Sequence, residues 1–166
     1  MIVNERGEVT AKCVSFAYQA GGDSGQLNRG ISAELLSEFV DTVRSREPIY
    51  SLEAELGYTP LFAARKLGLD EGWLDRLESH SSSARRALSV TRLVAGTPAA
   101  DLLRNGDMIL AVDGNVVTSF RELERAVQRP EVELTVWRDG EAMDIDIDTV
   151  ALGGEGIKRA VSWAGT

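Results

Sequence analysis

Alternation of apolar and polar residues is strongest between Val132 and Ile147. Val132, Leu134 and Val136 alternate with polar residues, Asp139-Gly140 supplies two turn residues, and Met143, Ile145 and Ile147 alternate back. This pattern predicts a β-hairpin. Near the other end, turn-like Asn4-Glu5-Arg6-Gly7-Glu8 leads into a stretch rich in β-formers, Val9 to Tyr18. After a small-residue loop, Ala20 to Gly25, the period changes. Leu35, Leu36, Phe39, Val40 and Val43 share one face of a helix that Ser32 caps and that runs to about Arg44. Two strands and one amphipathic helix cannot bury that face alone, so this piece reads as the end of a larger domain.

Pro48 marks a boundary, because the residue before a proline is pushed out of the helical region. Beyond it, Tyr50 to Leu56 reads as a strand. Thr59-Pro60 reads as a cap with proline at the first helical position, opening a helix to Lys66 that stops at Gly68. Asp70 caps another helix carrying Trp73, Leu74 and Leu77, and Ser79-His80-Ser81-Ser82-Ser83 reads as a polar loop. Ala87 to Val94 predicts a strand, Gly96 to Ala100 a one-turn helix, Met108 to Val112 a buried strand, Asp113-Gly114 a turn and Val116-Val117 a short strand. Ser119 and Glu122 form a capping box for a helix to Gln128. The reading is thus 1–47 as a remnant of one domain, 48–150 as a complete small domain, and 151–166 as a linker and the start of a further segment.

Charge and composition narrow the function classes. Eighteen Lys and Arg against 26 Asp and Glu give a net charge of −8 over 166 residues. A duplex binder needs clustered cations to displace counterions, so nucleic acid is disfavoured as a partner. No apolar run approaches the length of a membrane span, and Met1-Ile2-Val3 passes straight into polar Asn4-Glu5-Arg6, unlike a signal peptide. The single cysteine, Cys13, excludes an internal disulfide and cannot build a thiolate zinc site alone. No cofactor or metal is expected.

Gly96-Thr97-Pro98-Ala99-Ala100, Asn105-Gly106-Asp107-Met108-Ile109-Leu110, Val112-Asp113-Gly114 and Val117-Thr118-Ser119-Phe120 with Leu123 occur in order. Together they resemble the PDZ domains of HtrA/Deg serine proteases. Leu52 to Leu69 is similar to the first strand and helix of that PDZ type. Val3 to Val43 is similar to the part of the protease domain that follows the catalytic serine, with Gly30-Ile31-Ser32 and its helix matching the last strand and closing helix. Glu71-Gly72-Trp73-Leu74, the spacer to Arg92 and the tail from Arg159 to Gly165 resemble the tandem HtrA-like branch. The resemblance implies an α+β chain: the last strands and C-terminal helix of a chymotrypsin-like β-barrel, then a PDZ domain, a small partly open β-barrel or sandwich with capping helices. It also implies a bacterial periplasmic or cell-envelope location. The partners it implies are peptide or unfolded-protein segments, the protease domain of the same polypeptide, and further copies through the parent protein.

PDZ domains add an extended peptide to a sheet edge beside a helix, holding its terminal carboxylate with backbone amides. The resemblance puts the carboxylate loop and edge strand at Tyr50, Ser51, Leu52, Glu53 and Ala54, and the helix side at Phe120, Glu124 and Val127. Glu53 stands where family members have glycine, and Glu53 and Glu124 would both repel a terminal carboxylate. A non-binding structural or assembly module is the alternative.

Other candidates read as structural. Gly22-Asp23-Ser24-Gly25 resembles a serine-nucleophile motif, yet only 23 residues precede Ser24 and none is histidine. An autonomous hydrolase using Ser24 is therefore the remoter alternative, and no catalytic residue is assigned. His80, lying among serines, reads as an exposed, solvated imidazole. Cys13, mid-strand, reads as a buried or half-buried inert thiol. Asp144, Asp146 and Asp148 with Glu155 echo a calcium loop, but Ile145 and Ile147 favour a strand with the carboxylates on its solvated side.

Overall fold

A computed structural model describes residues 1–20 and 23–152. The chain divides into two compact units, Met1–Glu47 and the remainder from Pro48.

The first unit is a three-stranded antiparallel sheet, β1 (Ile2–Val3), β2 (Val9–Ala20) and β3 (Asp23–Ser32), followed by α1 (Ala33–Ser45). The predicted loop from Ala20 to Gly25 is shorter than expected. β2 and β3 stay paired out to Ala20 opposite Asp23, with Ser24 opposite Gln19, because a long hairpin goes on satisfying backbone groups in register. Gly21 and Gly22 lie outside the described residues. Ser32 caps α1, its hydroxyl accepting from the Leu35 amide, as the sequence predicts. Burial also follows the sequence argument: α1 has no buried residue, and Phe39 and Val43 are 61% and 59% exposed. Cys13 is exposed, which corrects the expectation of a buried or half-buried thiol. A three-stranded sheet with one helix leaves most of its strand positions open to water.

The second unit is built on a sheet ordered β10-β9-β7-β6-β5, with β8 paired to β7. Its strands are β5 (Ala54–Pro60), β6 (Arg86–Leu93), β7 (Met108–Val112), β8 (Asn115–Val116), β9 (Glu131–Arg138) and β10 (Glu141–Asp148). All five residues of β7 are buried because both faces of this strand are covered. On one face Ile109 and Val112 join Leu88, Val90, Leu134 and Val136 in a core that Leu123 and Val127 complete. On the other, Met108 and Leu110 meet Trp137 and the inner sides of α2 (Leu61–Lys66) and α3 (Glu71–His80). The two-residue turns Asp113-Gly114 and Asp139-Gly140 have φ of 49° and 73°, and of 53° and 91°. Positive φ at both central residues is the twist-matched hairpin geometry that these dipeptides favour. The one-turn helix is α4 (Pro98–Leu102), capped by the Thr97 hydroxyl.

A buried ion pair fastens one corner of this unit. Asp107 is 3% exposed. It accepts from Arg138 Nε at 2.8 Å and Arg138 Nη2 at 2.5 Å, and from the Arg104 amide at 2.7 Å. Arg138 Nη2 also donates to the Leu102 carbonyl. The guanidinium is thereby held in its charged form, chiefly by its hydrogen bonds to Asp107, against the opposing effect of burial.

Several boundaries differ from the sequence pattern. Tyr50 to Leu56 is not one strand: β4 (Ile49–Ser51) and β5 are separated by Leu52-Glu53, where the chain turns. Thr59 belongs to β5, its hydroxyl paired with that of Ser89, and Pro60 precedes α2 without a side-chain cap. Ser79 and His80 form the last turn of α3, so the polar loop starts at Ser81. The short strand after Asp113-Gly114 is Asn115–Val116, and the capped helix ends at Ala126. A strand the pattern does not announce, β11 (Val150–Leu152), pairs antiparallel with β4, with Leu152 opposite Ile49. The tail resemblance from Arg159 to Gly165 and the candidate calcium-loop residue Glu155 lie outside the described residues.

Candidate functional site

Local sequence builds the walls of a groove in the second unit. Leu52, six per cent exposed, anchors the start of the first wall in the core, and Glu53 then turns the chain at φ 53° into β5. The left-handed region costs an L-residue about 1–2 kcal/mol, so Glu53 adopts at some cost the conformation for which glycine is suited. β5 pairs with β6 on one side only, so among the described residues its other edge carries no neighbouring strand.

The second wall is α5 (Phe120–Ala126), whose start is the predicted capping box. Glu122 accepts from the Ser119 amide, and from the Thr118 amide and hydroxyl. It also lies 3.3 Å from His80 Nε2. His80 is exposed, as the sequence reading expects, and in addition it ends α3 facing the carboxylate that caps α5. Partial burial acts to raise the Glu122 pKa. The Thr118 amide, the His80 ring, the Thr118 hydroxyl and the charge of His80 together outweigh it and hold this carboxyl below its ordinary value.

Each end of α5 is tied to the facing wall. At its start, Phe120 stacks on Tyr58 with ring centroids 4.1 Å apart, and the Arg86 guanidinium lies 3.7 Å from the other ring's centroid, that of Tyr58. Just past its end, Gln128 spans to β4. Its Nε2 donates to the Tyr50 carbonyl at 2.9 Å, and its Oε1 accepts from the Tyr50 amide at 3.1 Å. The same Nε2 reaches the Glu124 carbonyl, closing the last turn of the helix. Gln128 thus presents to Tyr50 the donor and acceptor that an adjacent strand would present.

Between these ties lies a groove of about 430 Å³. Tyr50, Ser51, Leu52, Ala54, Phe120, Glu124 and Val127, all singled out from the sequence, line it. Glu53 sits at the turn rather than on the lining. Sequence reasoning missed Ile49, Leu56, Leu123, Gln128 and Leu152. Leu56 and Leu123 could have been found from their spacing, two residues on from Ala54 and three from Phe120. The floor is apolar, and Glu124 is the one carboxylate among the lining residues.

The other candidates are not among the lining residues of this groove. Asp144, Asp146 and Asp148 are exposed on β10, with Ile147 buried on the opposite face, and Asp144 accepts from the Thr135 hydroxyl. Ser24 belongs to β3 of the first unit.

Comparison with known proteins adds a family to this geometry. Residues 89–138 match the model of the PDZ domain. The chain is 28% identical to Protease Do-like 7 of Arabidopsis thaliana over 99% of its own length and 18% of that protein. It is 31% identical to the pro-apoptotic serine protease nma111 of Aspergillus terreus, over 99% of its length and 17% of that protein. The chain therefore spans less than a fifth of these relatives, at 18% and 17%. Among solved structures, HtrA-type protease AlgW with decapeptide is 20% identical, with a TM-score of 0.55, over 88% of this chain and 43% of that one. AlgW with tripeptide gives a TM-score of 0.53 at 19% identity, over 89% of this chain and 46% of that one. At these identities the structural likeness speaks to the fold. The fold is α+β and is like that of HtrA-type proteases with their PDZ domains, as the sequence resemblance implies.

Proposed function

We propose that this chain, which carries a PDZ domain and is similar along its length to HtrA-type serine proteases, binds extended peptide segments in the groove between β5 and α5. Binding regulates a protease domain that is completed by sequence outside the chain. The observation that supports this is the pairing of an unpartnered sheet edge with a facing helix over an apolar floor, the arrangement that lets a peptide join as an added strand. Tyr50, Ser51, Leu52, Glu53 and Ala54 form the strand side, and Phe120, Glu124 and Val127 the helix side. The exposed apolar stripe of α1, with Phe39 and Val43, is the face that the remainder of a protease domain would cover.

The chain itself carries out no hydrolysis in this reading. The catalytic parts belong to the parent, a trypsin-like serine endopeptidase or an inactive homologue, and a fluorophosphonate probe should leave Ser24 unlabelled. The test of the groove is saturable binding from a peptide library, measured by fluorescence anisotropy. Val127→Asp and Ala54→Trp, which charge the floor and block the strand side, should each abolish it. A chain that binds no peptide, or binds equally well with both substitutions, is instead a structural or assembly module.

A further inference from the structure

Part of the donor set of the β4–β5 loop is already engaged. The Glu53 amide donates to Ser51 Oγ at 3.0 Å, and the Tyr50 amide donates to Gln128 Oε1 at 3.1 Å. A peptide's terminal carboxylate needs several convergent amides left open to it, and each of these two must first give up an internal bond. Charge works in the same direction. Glu53 at the turn and Glu124 on the helix wall have no ion-pair partner among the described residues, and no lysine or arginine lines the groove. A terminal carboxylate would meet these two carboxylates with no lysine or arginine among the lining residues to offset them. An internal stretch of chain brings no such charge. It can still hydrogen-bond along the β5 edge and place an apolar side chain over Leu52, Leu56, Leu123 and Val127.

We infer that the groove selects an internal, extended segment carrying lysine or arginine beside an apolar residue, and not a free C-terminus, with Glu124 as the specificity-determining residue. This rests on the peptide-binding reading of the groove and narrows it to a ligand class.

The test uses two libraries of random decapeptides displayed on phage, one ending in a free C-terminus and one followed by flanking sequence. Selected peptides are then synthesised with either a free carboxylate or a C-terminal amide and titrated against the whole chain. The expected result is enrichment of Lys or Arg, with acid and amide forms binding within about threefold of each other. Glu124→Gln should weaken binding by about fivefold, the scale of one partly exposed charge pair. That difference should fade in 1 M salt, where charges are screened beyond about 3 Å. Tenfold tighter binding of the acid form, or unchanged affinity in Glu124→Gln, overturns the inference while leaving peptide binding intact. No saturable binder from either library overturns the peptide reading itself, and the inference with it.

Discussion

Asp107→Asn removes the negative charge from a side chain that is 3% exposed and keeps its shape. Three bonds converge on this carboxylate: two from Arg138 and one from the Arg104 amide. They join the end of β9 to the segment between α4 and β7. Arg138 is itself 13% exposed at the side chain, so its guanidinium cannot turn to water when its partner is lost. Breaking a buried pair by removing one member costs about 3–5 kcal/mol. Asparagine keeps one acceptor oxygen, so about 2–3 kcal/mol is expected, and about 3–5 for Asp107→Ala. The double variant Asp107→Leu with Arg138→Met removes both charges, and should lose less than the sum of the single variants by about 2 kcal/mol or more. All three tryptophans lie beyond Pro48, so urea unfolding followed by tryptophan fluorescence reads the second unit. A loss below about 1 kcal/mol in Asp107→Asn, or strict additivity of the double variant, would refute the claim that this pair is buried and coupled.

Two further outcomes follow from single residues. Glu53→Gly relieves an L-residue at φ 53° and should stabilise the unit by about 1 kcal/mol, raising Tm by roughly 4–8 °C in differential scanning fluorimetry; a fall in Tm would show that the Glu53 side chain contributes more than its strained backbone costs. Glu122, whose folded pKa is lowered, contributes stability that is fully present above its ordinary value of 4.5 and is lost as pH falls through the lowered value. The stability gap between the protein and Glu122→Gln should therefore narrow on going from pH 7 to pH 3, and a gap of equal size at both pH values sinks the assignment.

What the sequence made legible is what neighbouring residues determine. The Ser119–Glu122 capping box, the Asp139-Gly140 hairpin and the Ser32 cap each depend on residues a few positions apart, and each forms as predicted. The groove residues of β4, β5 and α5 came from ordered motif matches rather than from periodicity. What stayed hidden depends on distant pairing. Gln128 and Tyr50 meet across 78 positions and His80 and Glu122 across 42, and neither contact leaves a local signature. Val150-Ala151-Leu152 has no alternation of its own, and it becomes a strand only because β4 offers it an edge. The break in the predicted strand at Glu53 was hidden from the residue pattern for a different reason, although the family resemblance placed a loop and a glycine there. Glutamate carries no turn preference, so the core anchor at Leu52 and the pairing of β5 with β6 override local propensity there.

The pairing of β4 with β11 has a mechanical consequence. Ile49, where β4 starts, and Leu152, where β11 ends, face each other across the pair. Tension on the two ends therefore loads this ladder one rung at a time, as a zipper, and not all together in shear. Both end residues also belong to the groove lining. The first rungs to yield would strip a wall from the groove while the sheet core, with its long β5–β6 and β9–β10 ladders, still holds. Stretching the polypeptide and filling the groove are thus opposed, and a bound segment would act as a clasp against pulling.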